Sequence, residues 1–333
     1  MSNKKKILIV ESIHKSGINL LENHSNFDFE IVDDLSKENL KHKIKDCDGV
    51  SLRTAKLTDE IISAGEKLKI ISRHGVGYDN VDLYALNNRD IPLTITINAN
   101  AVTVAEHVIS MMFCFNKKIH LFDQSVRENE WDKLKIVNKQ IITLNTELFK
   151  KTIFILGFGR IGKELAKRCL AFEMQVLVFD PYVTEKVMQD YSVKKIDLID
   201  EGIASADYLS IHMPLNDDTK NLININNLKK MKKNAFIINT SRGGIVNEND
   251  LNNALNNNMI NGAGLDVFNE EPIDCNNPLI KNENIILTPH SAALTKECWL
   301  RMGQETIINI IDFFEKNLDS KCVANKKAIK YYE

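Results

Sequence analysis

The sequence predicts an α/β protein with two doubly wound parallel sheets. Three observations carry this. Short β-rich runs alternate with helical stretches through the first hundred residues; the alternation starts afresh near residue 150; and the second series opens on a glycine-rich turn set between a strand and a helix. Repeated βα units make a parallel sheet covered on both faces. At 333 residues the chain is too long for one ordinary core, so two domains are expected.

In the first series, "KKILIVE", "FDFEIVD", "GVSLRT", "LKIISRHG" and "IPLTITI" read as strands, with "KSGINLLENH", "SKENLKHKIK" and "TDEIISAG" as helices between them. One long helical run, "AVTVAEHVISMMFCFNKKIHLFDQSVREN", follows from Ala101. The second series has six strands: "KTIFILG", "MQVLVFD", "YLSIHMP", "NAFIINT", "INGAGLDVF" and "NIILTPH". A last helix, "TKECWLRMGQETIINIIDFFEKN", closes the chain.

An apolar content of 44% and a charged content of 26% are those of a globular protein. The net charge of −2 offers no basic field to nucleic acid or to an anionic membrane. No apolar run approaches membrane-spanning length, and the start "MSNKKKILIVES" lacks the apolar region and cleavage site of a signal peptide. Cys47, Cys114, Cys169, Cys275, Cys298 and Cys322 are scattered and form no CxxC, which suits reduced thiols in a cytoplasmic protein with no metal site.

The most specific local signal is "KTIFILGFGRIGKELAKRCLAFEMQVLVFD". Gly157, Gly159 and Gly162 form G-x-G-x-x-G directly after an apolar strand and at the start of a helix. The first glycine permits the tight turn, the second lets backbone approach a pyrophosphate, and the third lets the helix sit close to the sheet, with the helix N-terminus facing the phosphates. Asp180 ends the next strand, where a carboxylate would take ribose hydroxyls, and no arginine follows to welcome a 2′-phosphate. A Rossmann domain binding NAD rather than NADP is expected.

Ligands of open α/β sheets sit beyond the carboxyl ends of the strands. Arg242 follows "FIINTS", Glu271 follows "GLDVFNE", and His290 follows "IILTP". Hydride transfer to a 2-oxo acid builds negative charge on the carbonyl oxygen. A histidine donates the proton, a glutamate beside it stabilises the imidazolium, and an arginine grips the carboxylate and polarises the carbonyl. The anion that would justify an arginine and two glycines at a strand end is then the substrate's carboxylate.

In order and spacing, "GFGRIG", "HMPLNDDT", "NTSRGGIVNE", "GLDVFNEEP" and "LTPHSAALT" resemble the D-isomer-specific 2-hydroxyacid dehydrogenases, most closely their phosphoglycerate dehydrogenase-like branch. "SLRTAKLTDEII", "ISRHGVGYDNVD", "NANAVTVAEHV" and "VRENEW" extend the resemblance over nearly the whole chain. It implies that Arg242, Glu271 and His290 are the catalytic residues. It implies cofactor contacts at Arg160 and Ile161 in the glycine loop, at Asp180, at Met213 and Pro214, from Thr240 through Ser241 to Arg242, at Asp266 near the nicotinamide amide, and along His290 to Ala293. The backbone of Val76 and Gly77 would bind the substrate carboxylate. Arg53 would reach a substrate phosphate or carboxylate, or be a surface arginine; His74 would face the substrate's distal group or cap its turn.

The same resemblance implies a flavodoxin-like, discontinuous substrate domain of residues 1–98 and 294–333 beside a Rossmann domain of residues 99–293, with hinges near Asn98 and Ala293 whose closure would exclude water. It implies a homodimer joined through the cofactor domain by the long helix after Ala101 and the segment around Trp131. The chain ends shortly after the closing helix, so no appended regulatory domain is expected. Formate dehydrogenases of the superfamily carry Gln where Glu271 stands, which argues against that chemistry. The expected activity is reversible reduction of a small 2-oxo acid, phosphoglycerate dehydrogenase-like or hydroxypyruvate/glyoxylate reductase-like, with lactate a further candidate. The alternative is an NAD-sensing, co-repressor-like binding protein, because that branch keeps the fold and the three residues.

Overall fold

The computed structural model describes residues 4–130 and 145–326. The chain divides into two compact units, Met1–Asn100 with Ala293–Glu333, and Ala101–Ala292.

The first unit holds five parallel strands, β1 (Lys5–Val10), β2 (Phe27–Val32), β3 (Gly49–Leu52), β4 (Ile70–Arg73) and β5 (Leu93–Ile95), in the order β2-β1-β3-β4-β5. Strand β1 shows why both faces are covered. Ile7 and Ile9 pack with Leu21, Ile307 and Ile310, whereas Leu8 and Val10 pack with Leu40, Ile44, Ile61 and Ile62. Alternate side chains thus go to opposite faces, and each fully buried aliphatic contributes about 1.5–3 kcal/mol. On one face the helix Lys15–Glu22 crosses the returning helix Lys296–Glu315 at Gly17 and Gly303. A Cβ on Gly17 would stand 2.2 Å from the Gly303 carbonyl oxygen, so this crossing needs glycine at position 17; a Cβ on Gly303 of the closing helix would come 3.0 Å from the His14 Cβ.

The second unit is built on seven parallel strands, β6 (Thr152–Leu156), β7 (Gln175–Phe179), β8 (Lys194–Lys195), β9 (Tyr208–Ile211), β10 (Phe236–Asn239), β11 (Gly262–Leu265) and β12 (Ile285–Leu287), in the order β12-β11-β10-β9-β6-β7-β8. Ile153 and Ile155 of β6 serve one core cluster, and Phe154 and Leu156 the other.

Two expectations are corrected. The sheet has a seventh strand, β8, of only two lysines; an edge pairing that short carries no apolar run to betray it. The long helical run after Ala101 is two helices, Ala101–Lys117 and Ile119–Arg127, broken at Lys118. Lys118 adopts φ +48°, so its N–H closes on Cys114 while its carbonyl starts the next helix, accepting from Leu121 and Phe122. Trp131 and its neighbouring segment, expected at an interface, lie outside the described residues.

Candidate active site

All seven strands of the second sheet are parallel, so their carboxyl ends share one edge. Strand order reverses between β6 and β9: β7 and β8 lie on one side of β6, and β9 to β12 on the other. A reversal of this kind opens the crevice where doubly wound folds take a ligand. Gly157 stands there at φ +94°, and a Cβ on it would come 2.6 Å from the His212 carbonyl oxygen and 3.1 Å from the Met213 nitrogen. The turn after β6 thus lies against the turn after β9, which carries Met213 and Pro214.

The helix Arg160–Ala171 starts at Gly159, which makes no side-chain cap. A Cβ built on Gly159 meets no atom within 4 Å, whereas one on Gly162 would meet the Gly157 oxygen at 2.3 Å. The amides of the first turn, Arg160 to Gly162, have no partner within the helix, as at any helix start. Open space above Gly159 and free first-turn donors fit a pyrophosphate. Asp180, just past β7, accepts from Phe158 N at 2.8 Å through Oδ2 and from Tyr182 N at 2.9 Å through Oδ1. It pins the glycine turn and keeps lone pairs on both oxygens for the hydroxyls of a ribose.

Arg242, Glu271 and His290 follow β10, β11 and β12, which are neighbours in the sheet. At ordinary strand spacing the axes of β10 and β12 are roughly 10 Å apart. Arg242 rides a loop that must pass close to the next one: a Cβ on Gly243 would lie 1.8 Å from the Phe268 carbonyl oxygen, and Gly244 has φ +82°. The Arg242 Nη1 donates to the Ser241 carbonyl at 2.6 Å, while Asn239 ties the loop by donating to the Arg242 carbonyl and accepting from the Ser241 amide and hydroxyl. Thr240 is buried beside them, its hydroxyl without a partner among the described residues.

His290 Nδ1 lies 2.6 Å from Glu271 Oε2, and Glu271 Oε1 accepts from Phe268 N at 3.0 Å. The side chains keep 52% and 36% exposure, so the pair is reachable by a ligand. His290 itself sits at φ +51°, unusual for a residue with a Cβ. Asp266 is only 1% exposed, and its carboxylate accepts from Thr288 Oγ1, Ser291 N and Ala292 N. Its visible work is on the chain around His290. Ala293 begins the segment that returns to the first unit.

The remaining anticipated residues belong to the first unit. Arg53 follows β3, and His74, Val76 and Gly77 follow β4, its neighbour in that sheet. The Arg53 guanidinium carbon lies 4.6 Å from the centre of the Trp299 ring, and Nη1 donates to the Ser12 carbonyl at 3.2 Å. Glu11, just past β1, stands 3.9 Å from Arg53 and receives the Thr54 amide and hydroxyl and the Ala55 amide. Burial works to raise the Glu11 pKa, but these hydrogen bonds and the Arg53 charge hold it below its ordinary value. The His74 ring packs edge-on to Trp299 at 4.8 Å and is 5% exposed. Burial first, then the charges of Arg53 and Arg73, push its pKa down to about 3, so it is neutral at pH 7.

Sequence reasoning missed Glu11, His107, Thr288 and Trp299. Glu11 had a usable signal, a charged residue closing an apolar strand at the β1/β3 reversal of the first sheet. His107 touches Thr288 across 181 positions, and no local pattern reports such a contact.

Residues 109–292 match the family model of the D-isomer specific 2-hydroxyacid dehydrogenase, NAD binding domain. The chain is 36% identical over 309 residues to a D-3-phosphoglycerate dehydrogenase of Archaeoglobus fulgidus, covering 92% of this chain and 57% of that protein. It is 32% identical over 331 residues to a glyoxylate reductase of Korarchaeum cryptofilum, covering 98% of each. The solved NAD-dependent formate dehydrogenase of Staphylococcus aureus in complex with NAD superposes with a TM-score of 0.80 at 28% identity, over 96% of this chain and 98% of that one. The chain thus spans little more than half the length of the phosphoglycerate dehydrogenases it matches, and nearly the full length of the glyoxylate reductase.

Proposed function

The chain belongs to the D-isomer specific 2-hydroxyacid dehydrogenases, and on that premise we propose that it transfers a hydride between NAD and a small D-2-hydroxy acid or the corresponding 2-oxo acid. The observation that carries the reading is the contact of His290 with Glu271 at 2.6 Å, on strand ends next to the one that bears Arg242.

When bound, NADH would supply the hydride for reduction of the 2-oxo acid, and NAD would take it up in oxidation of the 2-hydroxy acid. Arg242 holds the carboxylate and draws electron density from the carbonyl with a planar, permanently charged fork. His290 delivers a proton to the carbonyl oxygen as negative charge grows there, and removes it in the reverse direction. Glu271 occupies Nδ1, so Nε2 is the nitrogen left for the substrate, and its charge stabilises the imidazolium. The backbone of Val76 and Gly77 binds the substrate carboxylate, and Arg53 reaches a phosphate or second carboxylate of the substrate. Gly157, Gly159, Arg160, Ile161, Gly162, Asp180, Met213, Pro214, Thr240, Ser241, Asp266 and Ala293 line the cofactor.

The substrate class is phosphoglycerate or the hydroxypyruvate/glyoxylate pair. The named relatives are enzymes, and no observation favours the co-repressor-like alternative. The working form is a homodimer in the cytoplasm. The helix Ile119–Arg127 buries none of its own residues and leaves Ile119 and Val126, seven positions apart and so on one face, at 68% and 48% exposure, an apolar stripe that a second copy would cover. Among the described residues no helix is long and apolar enough to cross a membrane.

Oxidation of NADH with glyoxylate, hydroxypyruvate, phosphohydroxypyruvate and pyruvate in turn tests the reading. Turnover of at least one is expected; a protein that binds NADH yet reduces none of them overturns it. Sedimentation of wild type against Val126→Glu tests the dimer, the charge being expected to yield monomers.

A further inference from the structure

Three consecutive backbone amides end on one residue. His290 N donates to the Asp266 main-chain oxygen at 2.8 Å, Ser291 N to Oδ1 at 2.8 Å, and Ala292 N to Oδ2 at 2.9 Å. Asp266 thereby holds His290 in its left-handed conformation and fixes the two residues that follow. Thr288, two residues before His290, donates its hydroxyl hydrogen to the same Oδ1 at 2.5 Å. That hydroxyl has one hydrogen, so its other contact must be as an acceptor. The contact is His107 Nε2 at 3.2 Å, which must then be the protonated ring nitrogen. His107 Nε2 also lies 3.9 Å from Asp266 Oδ1, with its side chain 21% exposed. His107 belongs to the helix Ala101–Lys117 and packs against this edge of the sheet from far away in sequence.

We propose that His107 is a positioning residue for His290, acting through Thr288 and Asp266. The proposal rests on the dehydrogenase reading for the role of His290, but the physical coupling it asserts does not. A buried carboxylate accepting several donors is a rigid anchor only while its rotamer is fixed. The three amides use Asp266 from one side of His290 in sequence, and Thr288 from the other. The imidazole of His107 orients the Thr288 hydroxyl, which would otherwise be free to rotate away from Oδ1. Loss of that orientation lets the 288–292 turn relax, and a displacement of about 1 Å at a reacting group is enough to cost as much as 100-fold in rate.

The test uses the full chain with four variants: His107→Leu, His107→Gln, Thr288→Val and the double variant His107→Leu/Thr288→Val. His107→Leu and Thr288→Val are each expected to lower kcat about tenfold or more while KM for NADH stays within about twofold. Glutamine places an amide donor near the position of Nε2 and should restore most of kcat. The double variant should be no slower than the worse single one, because both break the same chain of contacts. Independent losses that multiply, or a His107→Gln variant as slow as His107→Leu, overturn the proposal. Amide hydrogen exchange of residues 290–292 reads the coupling without catalysis: protection should fall in His107→Leu and return in His107→Gln, and unchanged protection overturns the proposal. An enzyme inactive on every 2-oxo acid would sink the dehydrogenase reading and leave the exchange experiment decisive for this one. Should His107→Leu fail to fold, His107→Phe, which keeps a ring and removes the donor, carries the same two readouts.

Discussion

His290 and Glu271 are joined Nδ1 to Oε2 at 2.6 Å, and the other oxygen of Glu271 is held by the Phe268 amide. The imidazole is therefore oriented from behind by a carboxylate that is itself oriented by backbone. Replacing His290 by Gln removes the proton donor and should lower kcat by about 10²–10⁴, the usual size of a general acid contribution, with NADH affinity unchanged. Glu271→Gln keeps an acceptor for Nδ1–H but loses the charge opposite the imidazolium, so its kcat should lie between wild type and His290→Gln. Steady-state kinetics with the best 2-oxo acid decides the order. A Glu271→Gln enzyme as fast as wild type would show that the carboxylate contributes nothing to proton transfer.

Arg242 offers a different readout. Its guanidinium is tethered to its own loop through Ser241, and that loop is fixed by Asn239 and by the close approach at Gly243. Lysine keeps the charge but not the planar fork. Losing one or more charge-assisted hydrogen bonds at about 1.5–3 kcal/mol each should cut kcat/KM for the 2-oxo acid by roughly 10- to 100-fold. Binding of NADH, measured by fluorescence titration, should not follow. Equal losses in substrate and cofactor binding would mean that the substitution disturbs the loop and not the grip on the carboxylate.

How much of this was legible beforehand follows the range of each interaction. The βα alternation, the glycine turn, Asp180 and the three strand-end residues are local patterns, so sequence alone put each on its element. What stayed hidden was non-local or patternless. The Lys118 break lies inside a run whose helical periodicity continues on both sides, and one left-handed residue leaves no compositional mark. Strand β8 is two lysines, formed because β7 offers an edge. The residues that steady the site, His107 for Thr288 and Trp299 for Arg53, meet partners 181 and 246 positions away. Local pattern finds the groups that do the chemistry; the fold alone shows what holds them.

The glycine turn separates a ligand requirement from a folding requirement. Gly159 has φ −73° and free space where a Cβ would go, so the protein itself tolerates alanine there. Gly162 has the Gly157 oxygen 2.3 Å from that point. Gly159→Ala should keep the wild-type Tm within about 2 °C and weaken NADH binding at least tenfold, since the methyl intrudes where pyrophosphate would lie. Gly162→Ala should instead lower Tm, because helix and turn must part. Thermal melts beside NADH titrations check both. A Gly159→Ala protein with undiminished NADH affinity would contradict placement of the pyrophosphate over that residue.

Two histidines with rings shielded from water, His74 and His212, give the protein a predicted weakness to mild acid. Burial, with help from Arg53 and Arg73, takes His74 down to about 3, and burial takes His212 to about 3 as well. A histidine whose folded pKa is depressed stays neutral in the native state while the unfolded chain takes up a proton below about 6.5. The unfolded state then binds more protons, so stability is lost as pH falls from about 6.5 towards 3, at up to about 1.4 kcal/mol per pH unit for each ring. Between pH 7 and 5 the loss is separated from carboxylate protonation, because the depressed pKa of Glu11 puts its own loss below 4.5. His74→Phe keeps a ring against Trp299 and removes the titration. Trp299 lies 4.8 Å from His74 and, in a Trp131→Phe background, is the sole tryptophan, so its fluorescence reports on the first unit. The urea midpoint it reads should fall between pH 7 and 5 in that background and fall clearly less once His74→Phe is added. The same fall with and without His74 would show that this histidine is not what makes the first unit sensitive to acid.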